Sequence, residues 1–197
     1  MNRRTARRAA VTLTAGLALS FAAALPAQAA DSTVTETQWL SDVAAVTGPA
    51  QACIDSRAAA NASGAKQAIV LDIDNTSLET HFEGGITVPA TPPVLALAQD
   101  AHAKGISVFF VSARSDLYNV VTKANLKSVG YTVDGLHART VAQLLTESVA
   151  DFKASQRKAI EADGYDIIAD IGNNTTDLTG GYADTTYKLP DYDGLLD

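Results

Sequence analysis

The chain has 197 residues, 47 % of them hydrophobic, and a formal net charge of −7 at neutral pH. Its length suits one domain with a real core, and its single cysteine excludes an internally disulfide-stapled scaffold. An acidic chain also lacks the basic face that nucleic acid or an anionic membrane surface requires, so neither is expected as a partner.

The first segment reads as an export signal. Arg3, Arg4, Arg7 and Arg8 form a basic region, and 9–24 is an apolar run without a charge. Leu25-Pro26-Ala27-Gln28-Ala29 then supplies a helix breaker and the small residues a signal peptidase reads. Cleavage is expected after Ala29, with Ala30 as the alternative, and the paired arginines leave the twin-arginine route open. The run is shorter than the roughly 20 residues of a spanning helix, so a membrane anchor is not expected. Removing 1–29 leaves one domain over 30–197, secreted to the cell envelope or beyond, with about eleven net negative charges.

From Thr35 to Asn61 the pattern is helical, with Trp39, Leu40, Val43 and Val46 on one face. Gly48-Pro49 is expected to divide it into two helices within about 34–63, candidates for a partial lid. Cys53, flanked by Ala52 and Ile54, reads as a buried small hydrophobe. Ala68-Ile69-Val70-Leu71 is a continuous apolar run of the kind found in a strand covered on both faces. A helix over 92–104, closed by Gly105, precedes a second buried strand at 106–111. A helix over 116–129, closed by Gly130, precedes a short strand near 135–137. A helix over 148–163, closed by Gly164, precedes a strand at 165–171. Strands alternating with helices predict an α/β fold: a three-layer, Rossmann-like parallel sheet with helices on both faces and an amino-terminal helical extension.

In such sheets ligands bind beyond the carboxyl ends of the strands. Asp72-Ile73-Asp74-Asn75-Thr76 follows the first strand, Ser112-Ala113-Arg114 the second, and Gly172-Asn173-Asn174-Thr175-Thr176-Asp177 the last. Neither glycine-rich nucleotide fingerprint occurs, so a dinucleotide or P-loop site lacks its phosphate cradle. Two aspartates one residue apart repel by about 4 kcal/mol at an effective dielectric near 20. That cost, at the end of a buried strand, marks the pair as a candidate site. Arg114 has two readings, as a phosphate clamp or as the partner of an acid. His81, just past the acidic pair, reads first as a structural residue, with contact to a leaving group as the alternative, whereas His102 and His137 read as helix and strand-end residues. Asp170 reads as a strand-end hydrogen-bond acceptor.

Taken in order, these segments resemble the haloacid dehalogenase-like hydrolases, and within them the class B/class III (subfamily IIIB) acid phosphatases. Ile69-Val70-Leu71-Asp72-Ile73-Asp74-Asn75-Thr76 is similar to the first motif, a hydrophobic strand and D-x-D-x-T. Val108 to Arg114 is similar to the second, Phe152 to Ile160 running into Gly164-Tyr165 to the third, and Gly172 to Leu178 to the fourth. The resemblance implies hydrolysis of small-molecule phosphate monoesters through an aspartyl-phosphate, with Asp72 as nucleophile and Asp74 as general acid and base. It implies Lys153 as the neutralising cation, and Ser112, Ala113 and Arg114 as the phosphate-binding station. It implies Mg²⁺ held by Asp72, Asp74 through its main-chain carbonyl, Asn173 and Asp177. The chain departs from the family form G-D-x-x-x-D at Asn173, where an amide replaces a carboxylate. The spacing from Asp74 to Ser112 leaves no room for a sizeable cap, so an open site is expected. A fold-retaining storage or binding protein is the alternative to the enzyme.

Overall fold

A computed structural model describes residues 34–85 and 87–196. The expected signal peptide at 1–29 lies outside the described residues, and no helix among those described is long and apolar enough to cross a membrane.

Helix α1 (Glu36–Ala60) begins at Thr35, whose side chain accepts a hydrogen bond from the Gln38 amide. It is one continuous helix with Pro49 inside it, where the sequence pattern predicts two. An interior proline removes one backbone bond and costs about 3 kcal/mol. Two features offset that cost. Gly48 has no Cβ to clash with the proline ring, and Trp39, Val43, Ala50 and Ile54, on both sides of the proline, are fully buried against one core. Cys53 is half-buried on this helix rather than buried.

Strand β1 (Lys66–Leu71) follows, then an irregular segment and helix α2 (Pro92–Ala103). Strand β2 (Ser107–Ser115) runs farther than its apolar stretch and includes Ser112, Ala113 and Arg114. A turn of 3-10 helix at Asp116–Tyr118 leads into α3 (Asn119–Ser128), and β3 spans Gly135–Arg139. Helix α4 (Val141–Thr146) was not predicted, although Thr140 and Gln143 cap it reciprocally, a readable T-x-x-Q pattern. Helix α5 (Val149–Ala162), strand β4 (Tyr165–Gly172), the short helix α6 (Thr175–Leu178) and the three-residue strand β5 (Thr186–Lys188) complete the order.

The five strands form a parallel sheet in the order β3-β2-β1-β4-β5. Alternation along β1 builds the layers. Ile69 and Leu71 enter the larger core with α1, α2 and Leu126 of α3, while Ala68 and Val70 enter the smaller core with Phe152 and Ile160 of α5. Both faces are covered, which is why β1 reads as an unbroken apolar run. The chain winds outward from β1 through β2 to β3, then returns to place β4 on the other side. The crevice between the carboxyl ends of β1 and β4 is therefore the switch point at which such sheets bind ligands.

Pro49→Ala separates the two readings of α1. In a continuous helix it restores a backbone hydrogen bond and raises stability by about 1 kcal/mol or more, measured by urea unfolding. A helix that began at Pro49 would gain nothing from the change.

Candidate active site

At the end of β1 the Asp72 amide donates to the Ile171 carbonyl of β4 (3.0 Å), extending the ladder by one residue into the crevice. The chain then folds back on itself, with the amides of Thr76, Ser77 and Leu78 all converging on the Ile73 carbonyl. Asn75 takes a left-handed conformation (φ 51°) within this turn. Asp72 is buried, whereas the Asp74 side chain remains 44 % exposed.

The sheet brings four stations together. Lys153, on the first turns of α5, is 3 % exposed and donates to Asp72 Oδ1 and to Asp177 Oδ1, the latter at 2.6 Å. Burial lowers the pKa of the Lys153 ammonium, but the facing Asp72 and Asp177 carboxylates more than reverse this, so the proton is held above the usual lysine range. Burial pushes the Asp72 carboxyl up to about 7; Lys153 opposes the rise, and Asp177 and Asp74 add to it. Two acids share one ammonium, which leaves Asp72 under-compensated in the free protein.

Arg114 resolves in favour of an acid partner. Its Nε donates to Asp74 Oδ2 (2.9 Å) and its Nη2 to Asp74 Oδ1 (2.6 Å), a planar fork that fixes the carboxylate, and Nη1 reaches Thr122 Oγ1 (3.3 Å). Ser112 is buried in β2, its hydroxyl accepting from the Arg114 amide (3.2 Å). Asp72, Asp74, Ala113, Lys153 and Asn173 line one cavity of about 260 Å³, which Leu196 also borders. No residue of α1 is among those that line it. His81 is exposed, its ring edge-on to Phe82, and it does not line the cavity. His102 lies 3.9 Å from Asp134, and His137 pairs with Gln156 at 3.0 Å.

Three residues that sequence reasoning gave no role hold the site in register. Thr76 joins the β1 and β4 ends, since its hydroxyl accepts from the Asn173 amide (3.0 Å) and donates to Asn173 Oδ1 (3.2 Å). Arg157, 1 % exposed, donates to the carbonyls of Asp177, Thr179 and Gly181 and so anchors the loop that carries Asp177. Its position four residues beyond Lys153, on the same helix face, was the available signal. Gly172 is required by close approach: a Cβ there would lie 2.6 Å from Asp177 Cγ.

The oxygen donors near Asp72 suit a hard divalent cation of modest charge demand. Those the resemblance offers are the Asp72 carboxylate, the Asp74 main-chain carbonyl and the Asn173 amide oxygen, which already accepts from the Thr76 hydroxyl (3.2 Å). Asp177 has both oxygens engaged, Oδ1 by Lys153 and Oδ2 by the Asn174 amide (2.8 Å). Among the described residues no cluster of three or more His, Cys, Asp or Glu side chains could hold a metal.

The fold and crevice define an α/β protein of the Rossmann-like class with an acidic strand-end site. The family model described as HAD superfamily, subfamily IIIB (acid phosphatase) matches residues 82–195, and the chain belongs to that family. The match begins after Asp72 and Asp74. Among curated relatives, the stem 28 kDa glycoprotein of Glycine max is 30 % identical over 119 residues, 59 % of this chain and 47 % of its own length. Vegetative storage protein 1 of Arabidopsis thaliana is 31 % identical over 110 residues, 55 % of this chain and 40 % of its own. Acid phosphatase 1 of Solanum lycopersicum is 26 % identical over 118 residues, 59 % and 46 %. The chain thus spans less than half the length of these relatives. In fold it is similar to the class C acid phosphatase of Bacillus anthracis, with a TM-score of 0.64 over 80 % of each chain at 17 % identity.

Two expectations follow from the packing. Gly172→Ala should drive Asp177 off Lys153 and cost about 1–3 kcal/mol, as overpacking does; an unchanged unfolding midpoint would show the contact to be slack. Asp170 faces Arg157 Nη1 at 3.1 Å, yet that guanidinium already serves three carbonyls. Burial pushes the Asp170 carboxyl up to about 7, against the pull of Arg157. The folded state therefore binds this proton more tightly than the unfolded chain, whose acid titrates near 3.8. Its contribution to stability falls as pH rises from about 4 to about 7. Melting temperatures of metal-free protein should decline across that window, and Asp170→Asn should remove part of the decline, the raised Asp72 carboxyl supplying the rest.

Proposed function

We propose that this chain is a secreted, Mg²⁺-dependent acid phosphatase acting on small phosphate monoesters, with 1–29 removed on export and 30–197 as its single domain. The observation that carries the reading is the buried Asp72 at the β1 end, hydrogen-bonded by a Lys153 that Asp177 also holds. In this reading the free Asp72 oxygen attacks phosphorus, Asp74 exchanges one Arg114 hydrogen bond for a proton and gives that proton to the departing ester oxygen, and an aspartyl-phosphate forms. Water then attacks the phosphorus of that intermediate, Asp74 takes the proton, and phosphate leaves. Lys153 balances charge that builds on the transferring group, a stabilisation that grows towards the transition state. Ser112 and the Ala113 main chain receive the phosphate oxygens. Arg114 orients Asp74 and offers its remaining donor capacity to the same anion.

Asp72, the Asp74 carbonyl and the Asn173 amide oxygen would hold Mg²⁺, with Asp177 adding its charge from behind Lys153. The cation would neutralise the phosphate and keep Asp72 ionised despite its burial. The fold neighbour from Bacillus anthracis has a form with tungstate bound, and tungstate is accordingly expected to inhibit this chain by occupying the phosphate station. Export is supported by the basic and apolar run before Ala29. Storage is the second reading, favoured by the name of the Arabidopsis relative; the presence of Asp72 speaks for catalysis.

Hydrolysis of an aryl phosphate by the protein, with and without Mg²⁺, tests the proposal. Asp72→Asn should keep the fold and lower turnover by about four orders of magnitude or more. Wild-type turnover no greater than that of the variant would leave storage as the better reading. Asp74→Asn should slow alkyl phosphates far more than aryl phosphates, whose leaving groups depart without a proton. Equal losses on the two substrates would remove Asp74 from the acid role.

A further inference from the structure

The segment that follows β5 reaches the candidate site at Leu196. Leu189 continues from β5, its amide donating to the Gly172 carbonyl (2.8 Å), and both Leu189 and Leu196 are fully buried. Between them Tyr192, Asp193 and Gly194 take left-handed conformations in succession (φ 51°, 57° and 87°). Two of the three are not glycine, and such a run persists where its surroundings over-determine it. The constraints are visible. Lys188 Nζ bonds Asp191 Oδ2 (2.8 Å), the Tyr192 hydroxyl donates to Asp42 Oδ2 of α1 (2.6 Å), and the Leu196 amide donates to the Asp191 carbonyl (3.1 Å).

The last constraint lies in the site itself. The Leu196 carbonyl accepts from Asn75 Nδ2 (2.7 Å) and from Asn173 Nδ2 (2.8 Å), and both asparagines are buried. The amide orientations are forced by their other ends. Asn75 Oδ1 accepts from the Thr80 hydroxyl (3.0 Å) and the His81 amide (2.7 Å), and Asn173 Oδ1 accepts from Thr76. A carboxylate at position 173 would have no donor for this carbonyl and would set negative charge against it. The departure of the chain at Asn173 from G-D-x-x-x-D thus coincides with a donor that Leu196 uses.

We propose that residues 189–196 form a strap across one side of the active-site cavity, latched by Asn75 and Asn173 on the Leu196 carbonyl. Leu196 borders the cavity beside Asp72 and Asn173, with its side chain fully buried in the larger core. The latch stands on this geometry and does not depend on the phosphatase reading.

Hydrogen exchange of metal-free, substrate-free protein tests the latch without calling on activity. Asn75→Asp and Asn173→Asp each keep an acceptor for their threonine and lose the donor to Leu196, and aspartate tolerates the left-handed conformation at position 75. Each variant should exchange the 189–196 amides at least about tenfold faster, given the loss of one of the two donors to a buried carbonyl and the carboxylate set against it, while β1 and β4 stay protected. Unchanged exchange in 189–196 overturns the latch, and so does loss of β1 protection, which would make the two asparagines part of the general fold. A wild type without turnover would sink the phosphatase reading and leave the exchange result standing.

Discussion

The site depends on one buried ammonium. Lys153 sits between Asp72 and Asp177 with almost no exposure of any of the three. Without it, two carboxylates would face each other in a low-dielectric crevice, a cost of several kcal/mol that burial alone would not bear. With it, Asp72 is held at a fixed angle to the cavity and Asp177 is drawn into the α6 turn. The rest of the site serves that arrangement. Gly172 makes room for Asp177, Arg157 ties down the carbonyls around it, and Phe152 seats α5 on the sheet so that Lys153 points into the crevice. Loss of the ammonium would leave charges that neither solvent nor a neighbour can answer.

Much of this could be read from the chain because it was written locally. The apolar runs of β1, β2 and β4 and the glycines after α2, α3 and α5 reported the alternating strands and helices directly. The acidic pair and the polar stretch after β4 were placed by the rule that such sheets bind ligands at strand ends, and the fold put them on one crevice. What stayed hidden was set by tertiary packing. Burial of both halves of α1 on one core overrode the break expected at Pro49. Strand β5 has three residues and gains its identity from pairing with β4, so no periodicity could announce it. The choice of Asp74 as the partner of Arg114 depends on the turn of β1 against the end of β2, a relation between residues 40 positions apart.

Leu196 shows the same limit more sharply. As a leucine near the end of the sequence it carried no signal, since one apolar residue among polar ones is ordinary. Its place beside Asp72 follows from the left-handed run before it and from two amides contributed by distant turns. Nothing in the order of residues ties Asn75 to Asn173, yet the crevice makes them partners.

The strand order also has a bearing on how the molecule is made. Strand β1 pairs with β2 across one helix, but its other neighbour is β4, with Lys66 opposite Tyr165. That second pairing closes a loop spanning most of the domain, and long closures carry an entropic cost that must be met before any contact rewards it. Asp72 rides on the first strand of the sheet, while Asp177 and Asn173 follow the fourth. During synthesis the early half of the chain can build its own βαβ unit with Asp72 exposed at its edge and no partner for it. The crevice needs β4 in place, so the growing chain holds no assembled crevice until nearly all of the domain has left the ribosome.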